Sequence, residues 1–234
     1  MTSDGEAVRR RAESVLPAPS EWKDPSGYKR SLALCVIDSA FSLRARYVST
    51  SRVLKRYRAA RQAAGRDADA DNLTDLVAAI DSVGGSTMAA GPALFDNHGY
   101  APGTARAGRP GLLKAEAVDQ AARRLLAADI DTIDDLRAHQ EVARQAWLSV
   151  HGLGWVSWDY LEMLTGDDGV KADTMVQRFV AAALEARTVG AARAKAAVLD
   201  TAELMHVDAR ILDHAIWLYE HERLSEAARR ESRS

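Results

Sequence analysis

"VHGLGWVSWDYLEML", residues 150–164, places two glycines around one leucine directly ahead of one of the most apolar helical runs in the chain. Gly152-Leu153-Gly154 reads as a tight turn, because glycine alone takes left-handed backbone angles without a steric penalty. Trp155, Trp158, Tyr160, Leu161 and Leu164 then read as a helix packed on more than one side. The residues before the turn, "VARQAWLSV", carry helical periodicity as well. The stretch is therefore a helix, a glycine turn and a second, buried helix.

The same period dominates the rest of the chain. "EAVRRRAESVL" is a short amphipathic helix stopped by Pro17 and Pro19, and "SGYKRSLALCVIDSAF" starts behind Ser26 as a cap, with a middle apolar enough to be central. "VSTSRVLKRYRAARQAA" sets Val48, Val53, Leu54 and Tyr57 on one side and its cations on the other. "NLTDLVAAIDSV", "LLKAEAVDQAARRLLAA" and "TIDDLRAHQ" follow. After the glycine turn come "ADTMVQRFVAAALEAR", "GAARAKAAVLDTAELMHV" and "DARILDHAIWLYEHERL". No alternating strand pattern of useful length occurs, so the expectation is an all-α fold of about ten helices. The tail "SEAARRESRS" is expected to be mobile.

Composition narrows the function classes. Apolar residues are 47% and charged residues 27% of 234, the balance of an ordinary globular protein with room for one large domain or two small lobes. A single cysteine, Cys35 in "LALCVI", excludes a disulfide framework and any all-cysteine metal cluster within the chain, and reads as a small buried apolar residue. No apolar run is long enough to span a bilayer. "MTSDGEAVRRRAESVL" has no signal-peptide core, so the expected location is the cytoplasm and no membrane partner is expected. His214 and His221 lie seven apart without a third ligand and read as surface histidines. "TGDDGVKAD" lacks the alternating acids of a calcium loop. Phosphate-binding "GxxxxGK[ST]" and nucleophile-elbow "GxSxG" patterns are absent, and no cofactor is expected.

Net charge is −2, so any preference for a polyanion must come from distribution. Arg44, Arg46, Arg52, Lys55, Arg56, Arg58, Arg61 and Arg66 fall between Ser42 and Arg66 with no acid among them. The run is either a solvated helix face or a polyanion surface. Residues 84–111, "GGSTMAAGPALFDNHGYAPGTARAGRPG", break the helical pattern and carry Asn97, His98, Tyr100, Arg106 and Arg109. A structureless segment of this length in a helical domain is a connector or a functional loop.

Past the buried helix, the loop "TGDDG" leads into "VKADTMVQR", which sets Asp173 at a helix start. Helix, Gly-x-Gly hairpin, helix, loop and aspartate together resemble the helix–hairpin–helix DNA glycosylase superfamily typified by endonuclease III. The hairpin is Val150-His151-Gly152-Leu153-Gly154, and the aspartate motif is Val170-Lys171-Ala172-Asp173-Thr174-Met175-Val176-Gln177-Arg178. The resemblance extends over most of residues 28–222, with the hairpin and Asp173 its specific parts. It implies two helical lobes around a DNA-binding cleft. Residues 38–172 would form the central lobe, ending in the hairpin. Residues 1–37 with 173–226 would form the other, and 227–234 a tail.

The resemblance also implies roles. Double-stranded DNA would be the partner of a monomer. Asp173 would be the catalytic carboxylate, stabilising positive charge on the sugar and orienting water, with an N-cap as its competing role. The amides of Gly152, Leu153 and Gly154, with Trp155 at the helix start, would grip a phosphate. Phe41, Ser42 and Leu43, followed by Arg44 and Arg46, would supply the wedge and its flanking contacts. Trp158, Tyr160 and His98 are the base-pocket candidates, Trp158 having core as its stronger reading. A backbone-bound monovalent cation at the hairpin is part of the family pattern, and no side-chain metal site is expected. His151 stands where the family has proline and Met175 where it has histidine. Val156 stands where lyases carry their lysine, so a Schiff base has no amine and the expected activity is monofunctional. The alternative is a DNA-binding protein without hydrolase activity.

Overall fold

The computed structural model describes residues 3–25, 27–45, 47–105 and 110–231. Twelve α-helices form among them: α1 (Ser3–Val15), α2 (Leu32–Ser42), α3 (Tyr47–Ala63), α4 (Leu73–Ser82), α5 (Ser86–Ala89), α6 (Lys114–Leu126), α7 (Ile133–Ala138), α8 (Gln140–Leu148), α9 (Trp155–Thr165), α10 (Thr174–Ala183), α11 (Ala191–Met205) and α12 (Ala209–Glu231). No strand forms among the described residues, and one isolated bridge joins Tyr100 to Leu113. The fold is all-α. None of these helices is long and apolar enough to cross a membrane.

The chain divides into two compact units, residues 27–166 and residues 1–26 with 167–234. The expected boundary at residue 37 would cut α2, whose residues from Leu32 to Phe41 are all buried in the core of the first unit. At the other end α12 runs to Glu231, through the first residues of the expected tail.

In the unit 27–166, α2 is the central rod. It is capped by Ser31, not by Ser26, which lies outside the described residues. The Ser31 hydroxyl accepts from the Leu34 N–H and donates to the Ala68 and Asp71 carbonyls. The helices α3, α4, α6 and α9 surround it. Phe95 lies between Phe41, tilted against it with centroids 5.2 Å apart, and Tyr57, stacked on it at 6.3 Å. Behind them Arg61 forks onto Asp71 at 2.6 and 2.8 Å while the Tyr57 hydroxyl donates to the same carboxylate at 2.7 Å. All three are buried, so the ion pair is satisfied by a full set of partners, the condition for a buried charge to be tolerated. Burial pushes the Cys35 thiol well above its ordinary pKa, in keeping with an inert core residue. Val48, expected on the apolar side of α3, is exposed.

In the second unit, α1 lies against α11 so closely that a Cβ on Gly5 would stand 2.7 Å from the Cβ of Asp200. Thr201 donates its hydroxyl to the Gly5 carbonyl at 3.0 Å, and Arg193 pairs with Asp4 at 2.6 Å. Val8, Phe179, Val180, Val198, Leu212 and Ile216 form the core. Arg11 sits 5.0 Å above the Phe179 ring, whose edge meets Tyr219. His221 is exposed as expected, whereas His214 is half-buried. Each stacks on Trp217 between them, at 6.4 and 4.9 Å, and burial beside Lys23 lowers the pKa of His214.

Candidate functional site

The turn between α8 and α9 is built by one serine. Ser157, at the third position of α9, accepts hydrogen bonds from the Gly154 N–H and from the Trp147 indole N–H, both at 3.0 Å, and donates to the Gly154 carbonyl at 2.7 Å. Ser157 is buried, and its own carbonyl accepts from Ser39 of α2 at 2.6 Å. The far end of α8 is held by Arg124 of α6, which donates to the Ser149 carbonyl at 2.7 Å. Both arms of the hairpin are thus fixed to the core of their unit.

The two glycines have different reasons to be glycine. Gly152 has φ +90°, and a Cβ there would lie 2.7 Å from the Ala101 Cβ and 2.9 Å from the Thr104 methyl. The protein itself requires it, because the segment Ala101–Thr104 packs over it. Gly154 has φ −145°, which any residue adopts, and nothing stands within 4 Å of where its Cβ would be. It is exposed, and next to it Trp155 is 59% exposed with the Arg144 guanidinium 5.2 Å from its ring centre.

The expected phosphate grip changes in detail. The Leu153 N–H donates to the Val150 carbonyl at 3.1 Å, and the Gly154 N–H is taken by Ser157, so neither amide is open. Of the expected three this leaves the Gly152 amide, joined by those of the first residues of α9, Trp155 and Val156, which have no helical turn before them to accept their N–H groups. The Leu153 side chain is buried. The Gly154 carbonyl is occupied by the Ser157 N–H, the Trp158 N–H and the Ser157 hydroxyl, so the hairpin does not offer it to a monovalent cation. Among the described residues no group of three histidine, cysteine or acidic side chains comes together to hold a metal ion.

Asp173 is the N-cap of α10. Its Oδ1 accepts from the Met175 N–H at 2.8 Å and the Val176 N–H at 3.3 Å. Its side chain is half-buried, and these cap bonds use only one of its two carboxylate oxygens. Gln177 donates its side-chain amide to the Ala172 carbonyl at 2.8 Å, bracing the residue before the cap.

The wedge and pocket candidates separate. Phe41 is 1% exposed, in the aromatic core against Phe95, and is no wedge. Ser42 and Leu43 are half-buried at the tip of the α2–α3 junction. Arg44 is exposed with φ +47°, and Arg46 lies outside the described residues, as do Arg106 and Arg109. Lys114, a residue with no mark in the sequence to set it apart, ties this junction down. It is buried and donates to the Phe41 and Leu43 carbonyls at 2.9 and 2.6 Å, and burial lowers its pKa to about 8. Trp158 is 2% exposed on the core face of α9 and does not line a pocket. Tyr160 is half-buried, with its hydroxyl 3.5 Å from Asp38 Oδ1, while Tyr28 donates to Oδ2 of the same carboxylate at 2.8 Å. His98 is exposed on the glycine-rich loop.

Ser157 was legible in principle, since a serine at the third helical position after a turn is placed to reach back to the cap amide. Arg124 was not, because its partner Ser149 comes from another helix end.

An all-helical protein, with a glycine hairpin between two helices and an aspartate-capped helix further on, is the class that fold and site define. Within it, residues 6–221 match the family model described as a domain of unknown function (DUF8548), and the chain belongs to that family. No curated protein and no solved structure matches the chain.

Proposed function

We propose that this protein binds double-stranded DNA through the α8–α9 hairpin and hydrolyses the N-glycosidic bond of a damaged or mispaired base, with Asp173 as the catalytic carboxylate. The observation that carries the reading is Gly154. Neither its backbone angles nor its packing calls for glycine, and it stands exposed at a helix start beside Trp155 and Arg144. A missing Cβ that the fold does not need leaves room for a strand to approach the Trp155 and Val156 amides. Trp155 offers an aromatic face, and Arg144, ion-paired with Glu141 on its own helix, a guanidinium that a phosphate would take over from that carboxylate.

Asp173 would act through the oxygen that its cap leaves uncommitted. Two amide bonds on Oδ1 fix the orientation of the carboxylate. Glycosidic cleavage builds positive charge on the deoxyribose. A pre-oriented carboxylate stabilises that charge without reorganising and can take the proton of the attacking water. Val156 at the lyase position supports hydrolysis without strand cleavage. The protein would work as a monomer in the cytoplasm.

The test is base release from duplexes carrying single alkylated, deaminated or mismatched bases, with alkali added afterwards to cut abasic sites. Release by the wild type and its loss in Asp173→Asn, with binding retained, support the reading. Duplex binding with no release from any substrate turns it into the non-catalytic alternative. Absence of binding even at low salt, where phosphate contacts are strongest, removes both.

A further inference from the structure

The cations of α3 divide into two groups. Arg58 pairs with Asp69 at 2.7 Å, and Arg61 is buried against Asp71 and Asp75. The acids that follow the basic run in sequence therefore neutralise Arg58 and Arg61. Arg52 and Lys55 are exposed, and no acid pairs with them among the described residues. With Ser49 and Arg56 they line one side of an open groove of about 670 Å³. Buried Val53 and Phe95 form its floor, and Asp96 and Asn97 its opposite wall.

That opposite wall is firmly built. The N–H groups of Phe95, Asp96 and Asn97 donate to the Ala89, Gly91 and Ala90 carbonyls at 3.0, 2.8 and 2.8 Å. The Asn97 side chain accepts from the Gly99 N–H and donates to Ser49 across the groove at 3.3 Å. Asp96 takes φ +51°, and its carboxylate meets the Arg56 guanidinium at 2.8 Å. A groove with three cations, an amide and a hydroxyl thus contains one negative group, and that group already sits on one of the cations.

We propose that this groove is a second nucleic-acid contact, taking backbone phosphates of a strand between Arg52, Lys55 and Arg56, with Asp96 holding the place of a phosphate on Arg56 until the strand arrives. The inference rests on the reading of the chain as a DNA-binding protein and not on the chemistry at Asp173. Phosphate fits the donor set: the Arg forks and the Lys ammonium match its charge, and Asn97 and Ser49 add neutral donors that carry no base preference. Asp96 makes the site weaker than its cations alone would, which suits a contact that must release DNA after each search.

The experiment is fluorescence anisotropy with a short labelled duplex of random sequence, titrated between about 50 and 200 mM salt. Arg52→Gln/Lys55→Gln removes two phosphate contacts, so the slope of log affinity against log salt becomes shallower by about 2, and low-salt affinity falls on the order of tenfold. Asp96→Asn keeps a residue that accepts left-handed backbone and removes the competing carboxylate, so affinity rises about two- to fivefold. All three substituted side chains are exposed, and unchanged thermal midpoints check that the fold is kept. The proposal is overturned if the double variant binds the duplex with wild-type affinity and slope. It is also overturned if Asp96→Asn binds more weakly, if Arg66→Gln alone costs as much as the groove variant, or if polyglutamate competes through the same residues as well as DNA does. A wild type that binds no duplex at low salt overturns the DNA reading itself. A groove variant that binds normally overturns only the groove.

Discussion

Asp173 carries two separable functions in the same carboxylate. As an N-cap it needs only an oxygen facing the Met175 and Val176 amides, which asparagine supplies as well as aspartate. As a catalyst it needs the negative charge. Asp173→Asn is therefore expected to keep its unfolding midpoint while base release falls on the order of 10²–10⁴-fold, the usual worth of a positioned acid or base. Asp173→Ala loses the cap too, about 1 kcal/mol in a denaturant titration. Equal release by wild type and Asp173→Asn ends the catalytic assignment. The hairpin glycines give a second separation. Gly152→Ala forces a side chain onto a φ of +90° and into Ala101 and Thr104, and is expected to cost about 1–3 kcal/mol of stability. Gly154→Ser installs a favoured capping residue in open space, leaves stability within about 0.5 kcal/mol, and weakens duplex binding. A Gly154→Ser variant that binds DNA as the wild type does would show that the glycine makes no room for a strand. The sequence displayed both glycines and the aspartate but could not rank them. Only the neighbours of each missing Cβ distinguish a glycine the fold needs from one it does not.

At the level of elements, the junction after α2 depends on a lysine that belongs to α6. Lys114 satisfies the Phe41 and Leu43 carbonyls, and the Thr50 hydroxyl also donates to the Phe41 carbonyl at 3.3 Å. Helix ends leave carbonyls unpaired, and here a buried ammonium from a distant helix provides the cap. Desolvation lowers its pKa to about 8 from 10.5, so above about 8 the native state holds fewer protons than the unfolded chain. Stability attributable to this group therefore rises with pH between about 8 and 10.5, and is flat below. Lys114→Met leaves two buried carbonyls less satisfied and is expected to cost about 1–3 kcal/mol at neutral pH. It should also remove the alkaline rise relative to the wild type in urea titrations at pH 7.5, 9 and 10; a parallel rise in both proteins would contradict it. Helical periodicity was sufficient to reveal the long elements, because most bury one face and α2 is apolar on all sides. It did not reveal α5, a four-residue turn inside the glycine-rich segment, nor the core position of Phe41. α5 packs against α4 and α6, and Phe41 against Phe95, interactions between segments that no local pattern encodes.

For the whole molecule, chain order imposes a folding order. The unit 27–166 is continuous, whereas the other is assembled from both ends of the chain, with Thr201 bonded to Gly5 across 196 residues. The continuous unit also brings its own ends together, since the Tyr28 N–H donates to the Leu164 carbonyl at 3.0 Å. Once that contact exists, residues 28–164 no longer count in the loop that α1 must close to reach α11. The 3/2-power dependence of closure on loop length then makes the closure about sixfold more favourable. Gly27 allows the contact: a Cβ there would lie 1.9 Å from the Leu164 carbonyl oxygen. In pulse-labelled hydrogen exchange during refolding, amides of α2, α6 and α9 are expected to gain protection before those of α1 and α11. Gly27→Ala separates the two ends and is expected to slow protection of α1 and α11 by a few fold, while α2 and α6 form at close to the wild-type rate. Simultaneous protection of both units in the wild type, or a Gly27→Ala variant whose α11 folds at normal speed, would mean that the contact at Leu164 forms last and sets no order.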